Sequence, residues 1–184
     1  MRRIILGNAG AGNTALAHRS TGARAIPILT LDQIAWEGTR RKPFEESLRN
    51  PDQFLLSHED WGIEGCYGDL IEAALPHCTE LIFLNPGIDV CIANCHNRSW
   101  EPDKFASAGA QTRMLERLID WIEQYETRDD EYGLKYHLRI FDNFSGAKRE
   151  YRVPAYDTES KFSHEVIPCS ASLPSSKGTN MVTG

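Results

Sequence analysis

Glycines at positions 7, 10 and 12 follow directly on a short apolar run, Ile4-Ile5-Leu6, and lead into a helix-compatible segment, Thr14-Ala15-Leu16-Ala17. Strand, glycine-rich turn and helix, in that order, make a phosphate-binding loop. Glycine permits positive φ, and it lets backbone N–H groups approach a phosphate with no Cβ in the way. The frame Gly7-Asn8-Ala9-Gly10-Ala11-Gly12-Asn13-Thr14 matches G-x-x-x-x-G-K-[ST] at every fixed position except one. Asn13 stands where that pattern has lysine.

Beyond this loop, apolar runs and helical patterns alternate. Ala25 to Leu29 reads as a second strand, Trp61 to Glu64 as a weak third and Glu80 to Leu84 as the clearest fourth, its continuous apolar run predicting burial on both faces. Helices are expected from Pro43 to about His58, from Asp69 to Leu75 and from Ile88 to Asn97. Alternation of this kind predicts an α/β fold with right-handed crossovers and a parallel sheet.

The second half is more helical. Met114, Leu115, Leu118, Ile119, Ile122 and Tyr125 recur at helical spacing and predict a packing face on a helix over 110–125. Another helix is expected between Glu131 and Phe144. Two segments compete as a fifth strand, Arg149 to Val153 and Leu138 to Phe141. Residues 98–109 read as a polar, lid-like excursion, and residues 154–184, rich in serine with scattered proline, as a disordered tail. The folded domain is accordingly expected to span 1–153.

Three motifs together resemble a P-loop kinase-like group, the adenylate- or shikimate-kinase-like ATPases and topology-modulation proteins. They are the loop at 7–14, Leu31-Asp32-Gln33-Ile34-Ala35-Trp36, and Ile63-Glu64-Gly65-Cys66-Tyr67. In that group the loop commonly reads G-x-x-G-S-G-K-[ST], followed by L-D-x-x-x-W and [DE]-G-x-Y. The similarity covers roughly residues 1–151. It implies a parallel five-stranded sheet ordered 2-3-1-4-5, ATP or another nucleoside triphosphate with Mg2+, and phosphoryl transfer to a small hydroxyl acceptor, or hydrolysis. Backbone N–H groups from Asn8 to Thr14 would then cradle the β-phosphate. Thr14 and Glu64 would hold the metal, Asp32 would orient the acceptor hydroxyl or act as base, and Arg98 would neutralise the moving phosphoryl group. Arg113 and Arg117 are weaker candidates for that last role.

Asn13 bears on the chemistry more than on binding. Asparagine is shorter than lysine and neutral, and a charged hydrogen bond contributes about twice a neutral one. Nucleotide binding through backbone N–H groups survives such a loss better than transfer does. A non-catalytic nucleotide sensor is therefore a second reading. A third is an NAD(P)-binding oxidoreductase, because Gly10-Ala11-Gly12-Asn13-Thr14-Ala15 satisfies G-x-G-x-x-A and Asp32 lies about 20 residues on. That reading lacks any hydride-transfer pair.

Composition narrows the partners. A net charge of −6 gives no reason to expect a general nucleic-acid binder, and no apolar run approaches a membrane span. Five cysteines, an odd number at irregular spacing, favour reduced thiols and a cytoplasmic setting. Cys91, Cys95 and His96 invite a zinc reading, but no second C-x-x-C pair accompanies them, and buried thiols on a helix face explain them. The sequence names neither the acceptor nor an oligomeric state.

Overall fold

The computed structural model describes residues 1–20, 26–38, 40–100 and 106–153. Its centre is strand β1 (Arg2–Gly7), with β2 (Ile28–Thr30), β3 (Trp61–Gly65), β4 (Glu80–Leu84) and β5 (Ala147–Tyr151) completing one sheet. All four pairings are parallel, and the spatial order is β2-β3-β1-β4-β5, the expected 2-3-1-4-5. Helices α1 (Asn13–Ser20), α2 (Leu31–Ala35), α3 (Phe44–Ser57), α4 (Gly68–Ala74), α5 (Ile88–His96), α6 (Ala108–Glu123) and α7 (Leu134–Asn143) cover it. This is a three-layer α/β fold, one parallel sheet with helices on both faces, in the strand order expected from the sequence.

The central strands show why both faces are covered. Successive side chains of a strand point to opposite faces. Ile4 and Leu6 of β1 therefore join Leu81 and Phe83 of β4 in one buried cluster, under α2, α3, α4 and α7. Ile5 joins Ile82 and Leu84 in the other, under α1, α5 and α6. A strand buried on both sides must be apolar throughout, and Ile4-Ile5-Leu6 and Leu81-Ile82-Phe83-Leu84 are.

The fifth strand was hard to find for the opposite reason. At the sheet edge only one side of β5 is paired, so its sequence, Ala-Lys-Arg-Glu-Tyr, carries charge rather than an apolar run. The rival segment, Leu138 to Phe141, lies within α7. There Leu134, His137, Leu138, Ile140 and Phe141 share the face turned to the sheet, spacing that suits a helix and not a strand. Lys148 of β5 reaches back and donates to the carbonyls of Phe141 and Asp142 (2.9 and 2.8 Å), closing the C-terminus of α7.

Helix α6 starts two residues earlier than expected, where the Ser107 hydroxyl accepts from the Ala110 N–H at 3.2 Å. Its packing face is Leu115, Leu118, Trp121 and Ile122. Met114, expected on that face, is 55% exposed. One residue out of phase on a helix is 100° of rotation, enough to turn a side chain from core to solvent. Residues 98–100, 106 and 107 of the expected excursion carry no regular structure, and Ala108 and Gly109 already belong to α6. Residues 101–105, the start of the second-strand segment at Ala25, and the expected tail at 154–184 lie outside the described residues. None of the described helices is long and apolar enough to cross a membrane.

Candidate functional site

The glycine loop occupies residues 8–12, between the end of β1 and the start of α1. Gly10 and Gly12 have φ of 79° and 99°, backbone that L-residues rarely adopt. Gly10 has a second constraint, because a Cβ there would strike the Cys91 carbonyl and come within 2.9 Å of the Cys95 sulfur. Cys91 and Cys95 are both buried, on the face of α5 that packs beneath the loop. From the same helix, Asn94 donates to the Gly10 carbonyl at 2.9 Å. Inside the loop the Ala11 N–H donates to the Asn8 carbonyl (3.1 Å) and the Ala9 N–H to the Asn8 side-chain oxygen (2.8 Å). The loop is thus fixed from below. The first N–H groups of α1, at Asn13 and Thr14, have no intrahelical partner by helix geometry, which is what an anion-binding turn needs.

Asn13 does not reach outward. Its side chain is 8% exposed, and its Nδ2 donates to the carbonyls of Gly7 (3.1 Å) and Asn8 (3.4 Å). Asn13 Oδ1 and Asn8 Nδ2 are buried without a partner. Gly7 is the residue that accommodates this arrangement: a Cβ there would lie 2.5 Å from Asn13 Oδ1 and 2.7 Å from the Leu84 carbonyl.

The carboxyl edge of the sheet, where ligands of open α/β folds bind, gathers the remaining candidates. The Thr14 hydroxyl donates to Glu64 Oε1 at 3.1 Å, joining the first motif to the third. Glu64 is 3% exposed, and burial holds its carboxyl above the usual range despite hydrogen bonds from Thr30 and Thr14, with the nearby Asp32 charge adding to the rise. Asp32, in the first turn of α2, accepts from the Tyr67 hydroxyl at 2.5 Å, and that hydroxyl accepts from Trp36 Nε1 at 2.6 Å. The second motif is thereby joined to the third as well. Burial, with Cys66 and Asp32 beside it, pushes the Tyr67 phenol upward, so it stays protonated and donates to the carboxylate.

Trp36 and Tyr67 stood in the motifs without assigned roles; their hydrogen bonds to one another and to Asp32 join residues 31 apart in sequence, a relation that no local pattern encodes. The same holds for Arg41, which threads a ribbon formed by Trp36–Glu37 and Arg40–Arg41 into the core. Its guanidinium donates to the Tyr132 hydroxyl (3.0 Å), Ser47 (2.9 Å), the Ala35 and Lys42 carbonyls (3.3 and 3.1 Å) and Asp69 (3.3 Å), and it lies 5.1 Å over the Tyr67 ring.

The arginine candidates stand apart from this cluster. Arg98 is exposed just beyond α5, and its charge is felt at the Cys95 thiol beneath Gly10. Arg113 and Arg117 are exposed on α6. The residues present fit a nucleoside triphosphate with magnesium: a turn held open by positive φ at Gly10 and Gly12, and a hydroxyl beside a buried carboxylate as hard-oxygen ligands.

No protein-family model and no curated protein matches the chain. Among solved structures, it is similar to a shikimate kinase from Bacteroides thetaiotaomicron (19% identity, 77% of this chain and 97% of that one, TM-score 0.43). It is also similar to a gluconokinase from Sinorhizobium meliloti 1021 (14% identity, 85% of each chain, TM-score 0.48). A third is a deoxyadenosine kinase from M. mycoides (9% identity, 85% of this chain and 92% of that one, TM-score 0.40).

Proposed function

We propose that this chain binds ATP or a related nucleoside triphosphate at residues 7–14 and passes its terminal phosphoryl group to a small hydroxyl acceptor held at Asp32. The observation that carries the reading is the Thr14–Glu64 hydrogen bond, 3.1 Å long, beside the Asp32–Tyr67–Trp36 chain at the carboxyl edge of the sheet. A hydroxyl–carboxylate pair and a second, hydrogen-bonded carboxylate following neighbouring strands support this reading.

Of the expected N–H groups from Asn8 to Thr14, those of Ala9 and Ala11 are engaged within the loop; in this reading the N–H groups of Gly10, Gly12, Asn13 and Thr14 bind the β-phosphate, and the dipole of α1 favours its charge. Magnesium supplies offsetting charge for the β- and γ-phosphoryl oxygens. Thr14 would hold it through a hydroxyl lone pair while its O–H still donates to Glu64. Asp32 orients the acceptor hydroxyl and takes its proton, and Tyr67 fixes the carboxylate by occupying one oxygen. Arg98 would come to the γ-phosphoryl group from the excursion. Asn13, folded under the loop, adds a backbone N–H but no charge, so transfer is slow. The folded unit is taken as 1–153, acting inside the cell.

That last point favours a second reading, a nucleotide sensor with no useful turnover, because the donor of Asn13 is engaged with Gly7 and Asn8. Calorimetric titration with ATP, GTP and NAD(H), with and without magnesium, tests both. Magnesium-dependent triphosphate binding is expected, and turnover with candidate acceptors then separates enzyme from sensor. Binding of NAD(H) alone, or of nothing, would overturn the proposal.

A further inference from the structure

The acceptor side carries a feature that the nucleotide does not use. Trp36 is pinned at its Nε1 by the same Tyr67 hydroxyl that holds Asp32, and it sits on a ribbon locked into the core by Arg41, yet 42% of its surface is exposed. An immobilised, uncovered indole next to a carboxylate is an amphipathic site. It offers one apolar ring face and one hydrogen-bond acceptor.

The charges around it decide what kind of acceptor fits. Arg41 is engaged through all three of its nitrogens, with Asp69, Ser47, Tyr132 and two backbone carbonyls. Arg128, stacked 4.4 Å over Trp121 and 5.3 Å over Tyr132, is held bidentate by Asp130 at 2.7 and 2.6 Å; its Nη1 has no hydrogen-bond partner but is buried, closed off from an incoming acceptor. On the ribbon, Arg40 pairs with Glu37 at 2.7 Å, and the Lys42 charge acts on the same carboxylate. These cations hold protein groups. Asp32 and Glu64, whose charges repel one another, receive hydroxyl donors in the described hydrogen bonds, and the one cationic side chain acting on Glu64 among the described residues is His18. A carboxylate or phosphate on the acceptor would approach two carboxylates without an available guanidinium among these residues.

Resting on the kinase reading above, we propose that the acceptor is a neutral, polyhydroxylated ring, stacked by its C–H face on Trp36 and presenting one hydroxyl to Asp32. Such a ring is apolar on its face and rich in O–H donors at its edge, which is the complement of an indole beside a carboxylate. In the transfer step the acceptor oxygen bonds to the γ-phosphorus of the triphosphate. The bond from that phosphorus to the β–γ bridging oxygen breaks, its electron pair leaves with the diphosphate, and the hydroxyl proton passes to Asp32.

The test uses the full chain and two probe sets: neutral hexoses, pentoses and cyclitols, and the corresponding uronates and sugar phosphates. Binding is read by saturation-transfer NMR and turnover by ADP formation from Mg·ATP. At least one neutral ring should bind, with affinity about tenfold weaker in Trp36→Ala and partly kept in Trp36→Phe, which retains a ring face. Preference for the anionic set, neutral binding indifferent to Trp36→Ala, or no binding of neutral rings would each overturn it. Titration with Mg·ATP alone reads the nucleotide site separately. Loss of that binding overturns the kinase reading, whereas loss of ring binding with Mg·ATP intact overturns only the acceptor class.

Discussion

The Asn13 side chain lies 3.1 Å from the Gly7 carbonyl and donates to it, so the residue at the usual lysine position braces the loop from beneath instead of reaching across it. Gly7 is required by this contact, since a Cβ there would collide with Asn13 Oδ1. Replacing Asn13 with lysine restores a cation and removes the brace. Phosphoryl transfer should rise by about tenfold or more, reflecting the difference between a charged and a neutral hydrogen bond. An unchanged single-turnover rate would show that Asn13 is not what limits the chemistry. Asn13→Asp, which sets a carboxylate against the carbonyls of Gly7 and Asn8, should lower stability by about 1–3 kcal/mol in chemical denaturation.

Glu64 is a buried carboxylate at the proposed metal site. Its raised folded-state pKa means that the unfolded chain ionises first, so its contribution falls as pH climbs from the ordinary carboxylate range through the raised value. Glu64→Gln should therefore raise the melting temperature of the ligand-free protein at neutral pH. The same change should weaken magnesium-dependent nucleotide binding by about tenfold or more. A variant that melts lower and binds normally would remove Glu64 from the site.

Tyr67→Phe deletes the hydroxyl between Asp32 and Trp36. Nucleotide affinity should hold, while kcat falls by about tenfold for loss of one hydrogen bond to a charged group. Equal loss of nucleotide binding would mean that Tyr67 supports the fold rather than the acceptor side.

Gly10→Ala tests the seat of the loop on α5. Positive φ and the Cys91 carbonyl both oppose a Cβ, so the change should cost about 1–3 kcal/mol in strain and should abolish nucleotide binding. Retention of both stability and binding would overturn the described loop geometry.

His137 makes the fold acid-sensitive. It is fully buried, placed between the Tyr125 hydroxyl (2.8 Å) and the Cys66 carbonyl (3.1 Å), and burial lowers its pKa to about 4. The unfolded chain, with histidine near 6.5, binds the proton first. Stability is therefore complete above about 6.5 and is lost as pH falls toward 4, by up to about 3 kcal/mol. Urea unfolding between pH 7 and 4.5 should show this decline, and His137→Gln should flatten it.

What the sequence determined by itself was everything that local pattern controls. Ile4-Ile5-Leu6 and Glu80 to Leu84 were legible as buried strands because burial on two faces forces an unbroken apolar run. Gly10 and Gly12 were legible as a turn because positive φ favours that residue, whereas the need for glycine at position 7, a clash with Asn13 and Leu84, belongs to the folded chain. Edge strand β5 was poorly marked because a strand paired on one side has no such requirement. Met114 meets solvent and not the core because helical spacing fixes the period of a face but not which side meets the sheet. Tertiary structure alone decided how the motifs act on one another. Thr14 finds Glu64 across 50 residues, Asp32 finds Tyr67 across 35, and Asn13 turns inward to Gly7. These contacts are set by parallel strand register, which carries the ends of β1, β2 and β3 to one edge of the sheet. Register is a property of the assembled sheet, and no single stretch of chain contains it.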